Sequence, residues 1–176
     1  MSVKKPFNLN KWIEDNRHLL KPPVANKNLY VDSDDYIVMI VGGPNARKDY
    51  HYNETEELFY QLEGEITIYI QENGQKKEIK LAAGDMYLHP AKIPHSPSRT
   101  ENSIGLVIER KRTRATDGLL WFCDNCNEKL HEVYFELNDI EKDFLSHFKA
   151  FYSSKEKRTC TKCSHVMETD SRFVQD

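Results

Sequence analysis

The sequence has 176 residues, of which 39% are hydrophobic and 30% charged, and its formal net charge at pH 7 is -3. These values fit one compact globular domain with a small appendage, and they exclude a disordered or fibrous chain. The near balance of acidic and basic residues argues against a surface for nucleic acid or anionic membrane.

Targeting signals and cysteine positions together indicate the compartment. The polar N-terminus lacks the apolar stretch of a signal peptide, and the longest apolar runs, such as residues 36–41, are too short to cross a bilayer. We therefore expect a cytoplasmic protein without nucleic-acid or membrane partners. All four cysteines lie in the last third of the sequence, and in such a compartment they favour metal binding over disulfides.

The first predicted element is a short amphipathic helix over residues 8–20, which the Pro-Pro pair at 22–23 ends. The hydrophobic period then changes to two, which predicts a series of strands. The predicted strands are residues 29–31, 36–41, 57–62, 65–71, 76–81, 85–89 and 104–109. Asn73-Gly74 between two alternating runs predicts a type I′ hairpin. Many short strands at this spacing indicate an antiparallel sandwich or barrel.

A second helix is predicted over residues 138–152, where an apolar stripe follows Asn138 and Glu141, two residues suited to capping its start. This helix lies between the two pairs of cysteines. We therefore divide the chain into a β-barrel with its N-terminal helix, residues 1–115, and a metal-clipped C-terminal segment, residues 116–176, packed on that barrel.

The first candidate site consists of His51, Glu57 and His95. Two imidazoles and one carboxylate occupy one face of an octahedral metal and leave open positions for a substrate and O2, which suits Fe(II) better than a closed Zn(II) site. His51 and Glu57 are six residues apart, a spacing that suits a strand or a strand–loop–strand. On spacing alone, a chance set of histidines and acids is the alternative.

The residues around this triad resemble the two cupin motifs. The stretch from His51 to Glu57 and on to Gly64 resembles the first, and the stretch from Gly84 to His95 resembles the second. The chain departs from the general cupin pattern at three positions: Asn53, Lys92 and Arg99. These departures favour a cupin with three metal ligands over one with four.

Along nearly its whole length the chain resembles the 3-hydroxyanthranilate 3,4-dioxygenases. The matching segments are Leu20-Lys-Pro-Pro-Val24, Val41-Gly-Gly-Pro-Asn45, Asp49-Tyr-His51, Glu56-Glu57-Leu-Phe-Tyr-Gln61, Pro94-His-Ser-Pro97, Leu106-Val-Ile-Glu-Arg110 and Trp121-Phe-Cys123. The resemblance implies a mainly β fold: a cupin-type double-stranded β-barrel, or jelly roll, with a few helices and a C-terminal rubredoxin-like four-Cys metal site.

The same resemblance implies residue roles and a reaction. It implies His51, Glu57 and His95 as ligands of a catalytic Fe(2+), and as substrate contacts it implies Arg47, Arg99, Glu109 and Asn26. An arginine suits the substrate carboxylate because its planar charge binds bidentately; surface ion pairs are the alternative for these charged residues. The implied reaction joins 3-hydroxyanthranilate and O2 into 2-amino-3-carboxymuconate semialdehyde, which leads to quinolinate and NAD in the kynurenine pathway. A homodimer is also implied.

The second candidate site is the C-x2-C…C-x2-C pattern formed by Cys123, Cys126, Cys160 and Cys163. Four thiolates on two knuckles make a closed tetrahedral site for Zn or a single Fe. Redox-active C-x-x-C pairs and free thiols are the alternatives, and His165 is an alternative ligand.

Two other functions stay open at this stage. A cupin of another chemistry, such as a sugar isomerase or a thiol dioxygenase, has the same first site. A non-enzymatic zinc-ribbon binding module accounts for the cysteines alone.

Overall fold

The computed structural model describes residues 5–21, 25–112, 116–136 and 140–174. The Pro-Pro pair at 22–23 and the capping residue Asn138 lie outside these ranges, and the side chain of Glu141 is likewise not described. Within the described ranges, no helix combines the length and apolar character needed to cross a bilayer.

The helices begin and end close to their predicted positions. Helix α1 is Leu9–Asn16 and continues as a 3-10 helix, Arg17–Leu19. The Asn8 side chain caps α1 by accepting a hydrogen bond from the Lys11 backbone N at 2.9 Å. Helix α2 is Ile140–Tyr152 and α3 is Lys155–Arg158.

Twelve strands are described, and they form two antiparallel sheets. Their bounds are β1 Asn26–Asn28, β2 Tyr36–Gly42, β3 Asn45–Ala46, β4 Asp49–Tyr52, β5 Glu57–Glu63, β6 Glu65–Glu72, β7 Gln75–Ala82, β8 Met86–His89, β9 His95–Arg99, β10 Ile104–Arg110, β11 Thr116–Phe122 and β12 Lys129–Glu136. The first sheet has the order β1-β2-β10-β5-β8, and the second has the order β12-β11-β4-β9-β6-β7, with β3 added beside β9.

The two facing sheets confirm the predicted cupin-type jelly roll. The core between them is apolar and buried, and it includes Phe59 and Val107 from the first sheet and Ile66 and Ile68 from the second. Alternate residues of a strand face opposite sides, so each strand contributes one row of side chains to this core.

The two-residue hairpin at Asn73-Gly74 is confirmed, since both residues have positive φ and Glu72 pairs with Gln75. The strand predicted at 29–31 is wrong. The first strand is instead the polar Asn26–Asn28, and Leu29 packs in the cluster around Ile13 that seats α1 on the outer face of the first sheet.

Besides β1, five strands were absent from the prediction: β3, β4, β9, β11 and β12. Strands β11 and β12 extend the second sheet past residue 115, because β11 pairs with both β4 and β12. Helix α2 covers this end of the sheet, where Trp121 stacks on Phe151 with their ring centroids 4.4 Å apart.

Candidate active site

The two sheets bring His51, Glu57 and His95 together between them. His51 in β4 and His95 at the start of β9 are register partners in the second sheet, while Glu57 begins β5 in the first. One donor atom of each residue lies within 4.8 Å of one donor atom of the other two. All three side chains are buried, so residues that are 6 and 38 positions apart in sequence form one compact group of donors.

This cluster fits a metal ion. Bonds of about 2.1 Å from a metal to nitrogen and oxygen place two donors at right angles about 3.0 Å apart, and His95 Nε2 lies 3.0 Å from Glu57 Oε2. Two nitrogens and one carboxylate also form the donor set that leaves coordination positions open. The cluster is therefore consistent with metal binding at a site that keeps room for further ligands.

Polar neighbours hold the Glu57 carboxylate in place. Burial by itself raises the pKa of Glu57, but the neighbouring imidazoles, above all His95, outweigh it and lower that pKa below the usual range. Asn53, at the position where general cupins carry a further histidine, is buried and donates to Glu57 Oε2 at 3.4 Å. Asn53 thus hydrogen-bonds a member of the cluster and is not among the donor atoms grouped there.

His89 is a buried histidine of this region that sequence reasoning left unassigned. Its ring centroid lies 4.4 Å from that of His95, but both of its nitrogens have partners. Nδ1 lies 3.2 Å from the Tyr87 hydroxyl, and Nε2 lies 2.8 Å from the Ile93 carbonyl oxygen. Burial lowers the pKa of His89 to about 4. His89 is therefore a neutral packing partner of the cluster.

Arg99 reaches across the barrel from β9 to the first sheet. The residue is only 5% exposed, and its Nη1 donates to Gln61 Oε1 at 3.2 Å. No carboxylate of the described residues forms an ion pair with it. Burial lowers the pKa of Arg99 to about 10, partly offset by the charge of Glu57, so the guanidinium remains charged at neutral pH. Burying a cation costs free energy unless an anion is paired with it.

Gly105 makes room for this guanidinium. A Cβ added at Gly105 meets Arg99 Nη1 at 2.6 Å and Gln61 Oε1 at 3.0 Å. Because the guanidinium is the end of a flexible side chain, it yields before the backbone does. We expect Gly105→Ala to lower kcat/KM by roughly tenfold or more, since misplacing a binding group by about 1 Å can cost on the order of a hundredfold. The measurement is steady-state kinetics beside thermal unfolding.

The control is the same substitution in an Arg99→Ala background. There the added methyl group has no guanidinium to displace, so Gly105→Ala should bring little further loss of kcat/KM. Equal losses in the two backgrounds would show that Gly105 acts elsewhere.

Two of the other three predicted substrate contacts, Arg47 and Asn26, lie at the margin of the site. Arg47 is partly exposed, pairs with Asp49 at 3.1 Å and lies over the ring of Phe144, with 5.8 Å from its Cζ to the ring centroid. Phe144 in turn packs edge-on against His51, with centroids 5.2 Å apart. Asn26 is exposed on edge strand β1. Asn26 is the register partner of Val41 in β2, and Val41 is in turn the register partner of Gly105 in β10.

Glu109 is buried beside the cluster, directly opposite Glu57 in the register of β10 and β5. Burial raises the pKa of Glu109, and the nearby charge of Glu57 raises it further. Its Oε2 accepts a hydrogen bond from Arg112 Nη1 at 2.5 Å. Arg112 also binds Asp117, whose Oδ1 lies 2.7 Å from His51 Nε2.

Sequence reasoning missed both Arg112 and Asp117. Arg112 ends the charged cluster of residues 109–112, and neither Arg112 nor Asp117 received a role. The available signal was an aspartate directly before the apolar run 118–123, because a lone acid at the edge of such a run requires a partner when buried.

The four cysteines form a second cluster at the far end of β11. The Sγ atoms of Cys123 and Cys163 are 3.7 Å apart, and those of Cys126 and Cys160 are 3.6 Å apart. Zinc–sulfur bonds of about 2.3 Å place tetrahedral sulfurs about 3.8 Å apart. All four sulfurs lie within 4.8 Å of one another and none forms a disulfide. This cluster is consistent with a closed metal site.

The two knuckles have matching backbones. In each, the residue after the second cysteine, Asn127 or Ser164, has positive φ and donates its N–H to the carbonyl oxygen of the first cysteine at 2.9 Å. The Asn125 amide donates to Cys163 Sγ and lowers the pKa of that thiol. His165 accepts from the Cys160 backbone N through its own carbonyl oxygen, and it is outside the group of donor atoms found among the described residues.

We expect Cys160→Ser to remove about one equivalent of metal and to lower the unfolding temperature. A shift of about 2–4 °C per kcal/mol is usual for a domain of this size, so a fall of roughly 5–10 °C follows from a loss of a few kcal/mol. Activity per catalytic metal ion should persist. The measurements are metal content, thermal unfolding and turnover, with the exposed Thr161→Ser as the matched control. Loss of activity per catalytic ion in well-folded protein would contradict a purely structural role.

The fold and the site define a class of protein: a cupin whose jelly roll carries a His-Glu-His cluster suited to a metal ion. A profile of the 3-hydroxyanthranilic acid dioxygenase family matches residues 1–152. The 3-hydroxyanthranilate 3,4-dioxygenase of Xanthomonas campestris pv. campestris (strain 8004) is 52% identical over 170 residues, covering 96% of both chains. That of Bacillus thuringiensis (strain Al Hakam) is 47% identical over 163 residues, covering 92% of this chain and 90% of its own.

The chain therefore belongs to the 3-hydroxyanthranilic acid dioxygenase family. Among solved structures, a cupin-2 domain protein from Shewanella frigidimarina has a TM-score of 0.47 and 23% identity, covering 56% of this chain and 92% of its own.

Proposed function

We propose that this protein is an Fe(II)-dependent dioxygenase that opens the ring of 3-hydroxyanthranilate. Membership of the family supports the reaction. The observation that carries the assignment in this chain is Arg99, a buried guanidinium without a carboxylate partner among the described residues, in the same barrel as the His-Glu-His cluster. A benzoate substrate brings the anion that Arg99 lacks.

His51, Glu57 and His95 would hold the iron. When bound, Fe(II) supplies a redox-active centre that brings the aminophenol and O2 together. The protein supplies a charge clamp and a buried setting: all three ligand side chains are at most 8% exposed. Exclusion of water strengthens every electrostatic contact with the substrate.

Arg99 would orient the substrate by its carboxylate, in the bidentate geometry that a guanidinium favours. Gln61 fixes the guanidinium, since its Oε1 accepts a hydrogen bond from Arg99 Nη1. The Gln61 amide nitrogen in turn donates to the Glu63 carbonyl oxygen at 2.7 Å. Arg47 would add a second positive charge at the margin of the site, beside His51 and above Phe144. Asn26 would line the outer rim.

Glu109 would receive the proton of the substrate hydroxyl or bind its amine. Arg112 already occupies Glu109 Oε2, and we propose that Oε1 faces the substrate. Burial and the charge of Glu57 raise the pKa of Glu109 above its usual range, which makes this carboxylate a better proton acceptor than an exposed one.

The overall reaction breaks the bond between the hydroxyl-bearing carbon and its unsubstituted neighbour. Both atoms of O2 enter the product, one in a new carboxylate and one in an aldehyde, giving 2-amino-3-carboxymuconate semialdehyde. The amine then closes on the aldehyde with loss of water to give quinolinate, a precursor of NAD in the kynurenine pathway.

The experiment adds 3-hydroxyanthranilate to anaerobically iron-loaded protein and then admits air. We expect product absorbance and one O2 consumed per substrate. A panel of sugars and thiols, run in parallel, tests the other cupin chemistries. Oxygen uptake with a thiol but not with 3-hydroxyanthranilate would reject the proposal. The alternative function, a zinc-ribbon binding module, does not account for the buried His-Glu-His cluster.

Three further parts of the proposal concern the whole protein. We propose Zn or a single Fe at the four cysteines, with a structural role, and elemental analysis distinguishes these two metals. A homodimer is proposed on the family resemblance, and a cytoplasmic location is proposed on the sequence expectations; sedimentation equilibrium tests the dimer.

A further inference from the structure

Arg112 lies in a buried chain of ion pairs that joins the two halves of the proposed active site. Its Nη1 donates to Glu109 Oε2 at 2.5 Å. Its Nε and Nη2 donate to the two oxygens of Asp117 at 3.0 and 2.8 Å. Asp117 Oδ1 also lies 2.7 Å from His51 Nε2. One guanidinium thus connects the proposed substrate contact Glu109 with the proposed metal ligand His51.

Burial makes each member of this chain depend on the others. The side chains of Arg112 and Glu109 are each 2% exposed, and that of Asp117 is 0% exposed. Two buried carboxylates share one guanidinium, and removing one partner of such a pair leaves an uncompensated charge. The planar fork reaches both carboxylates at once, whereas the ammonium group of a lysine is a single point charge.

The link to His51 has a direct chemical consequence. Both oxygens of Asp117 accept hydrogen bonds from Arg112, so Asp117 acts as an acceptor toward His51 as well. His51 Nε2 is therefore the donor, so Asp117 fixes both the orientation of the ring and the nitrogen that carries its proton. Carboxylates that orient metal-binding histidines in this way raise the affinity of the site for its metal.

We propose that Arg112 is a positioning residue that sets Glu109 toward the substrate and, through Asp117, sets the His51 ring toward the metal. The Glu109 half rests on the proposed function. The His51 half rests on the His-Glu-His cluster alone and is measured without turnover.

The test compares Arg112→Lys with Arg110→Lys. Arg110 is exposed in the same charged cluster, and its backbone oxygen, which also accepts from Arg112 Nη1 at 3.2 Å, is unchanged by the substitution. The first readout is anaerobic Fe(II) affinity of the catalytic equivalent, by competition with a chelator after the four-Cys site is filled. The second is the separate determination of kcat and KM.

We expect Arg112→Lys to weaken Fe(II) binding by roughly 10–100-fold, the usual cost of removing an outer partner of a metal ligand, and to raise KM. Arg110→Lys should change Fe(II) affinity by no more than about twofold, as for a surface substitution. Wild-type iron affinity in Arg112→Lys would overturn the proposal.

Asp117→Asn and the double variant show whether Arg112 acts through Asp117. We expect the double variant to bind Fe(II) no more weakly than the weaker single variant, because both substitutions interrupt one chain. Additive losses would overturn the proposal.

If Arg112→Lys fails to fold, the test rests on Asp117→Asn alone, and unchanged iron affinity in Asp117→Asn counts against the proposal. If the wild-type protein does not cleave 3-hydroxyanthranilate, the proposed function fails while these iron affinities still test the Arg112 chain.

Discussion

His95→Ala protein is expected to lose turnover entirely and to bind about one equivalent less metal than the wild-type protein. His95 supplies one of the three donors found in this cluster among the described residues, and its Nε2 lies 3.0 Å from Glu57 Oε2. The described residues add no fourth donor to the group: Asn53 hydrogen-bonds Glu57, and both nitrogens of His89 have other partners. The measurements are metal content by elemental analysis and product formation with iron supplied.

Two variants make this result interpretable. Glu57→Gln keeps the shape of the side chain but removes its charge, and we expect it to lose activity in the same way. His18→Ala removes an exposed histidine of the 3-10 helix and should leave metal content and turnover unchanged. Circular dichroism should show folded protein in all three. Full activity in His95→Ala would eliminate the assigned site.

Arg99→Ala is expected to lower kcat/KM by roughly 25-fold to several thousandfold. Truncating one partner of a desolvated charge pair costs about 2–5 kcal/mol, and about 1.4 kcal/mol corresponds to a factor of ten. The loss arises because the substrate carboxylate would then enter a buried site without its counter-charge. Stability should fall little or rise, since Arg99 has no carboxylate partner among the described residues and its burial is unfavourable without the substrate.

Arg99→Lys and Arg17→Ala serve as matched controls for that result. Arg99→Lys keeps a positive charge but loses the bidentate fork, so its kcat/KM should lie between those of the wild type and Arg99→Ala. Arg17 forms an exposed ion pair with Glu63, and its removal should leave the kinetics unchanged. An unchanged kcat/KM in Arg99→Ala would exclude the carboxylate clamp.

The sequence predicted the parts of the fold whose patterns are local. The hairpin at Asn73-Gly74 follows from two residues that accept positive φ, and the alternation in 65–71 and 104–109 matches strands β6 and β10. Asn8 at the start of α1 is likewise a short-range signal. In each case, neighbours in sequence determine the structure.

The missed strands lie where function or half-burial removes the alternation. Asp49–Tyr52 is buried at three of its four residues and carries His51, and His95–Arg99 contains Pro97, which argues against a central strand. Lys129–Glu136 alternates weakly because its burial is intermediate along most of its length. The strands that bring the two histidines together were therefore the hardest to find from periodicity.

The buried charged residues of the site were likewise hard to predict from sequence periodicity. Arg99 and Glu109 were found through family motifs, but the Arg112–Asp117 pair joins the second residue after β10 to β11 of the other sheet. The periodicity of hydrophobic residues does not indicate an ion-pair partner on another strand. The charges of residues 109–112 look in sequence like a solvated surface, and only the packing shows that Glu109 and Arg112 are buried while Arg110 is exposed.

The most direct test of ring opening by O2 is an isotope experiment. Iron-loaded protein is supplied with 3-hydroxyanthranilate and labelled O2 in unlabelled water, and the quinolinate that forms is analysed by mass spectrometry. One oxygen atom of O2 enters the new carboxylate, while the other enters the aldehyde and leaves as water on ring closure. We therefore predict one labelled oxygen atom per quinolinate. Unlabelled quinolinate, or consumption of O2 without ring-opened product, would contradict the proposed reaction.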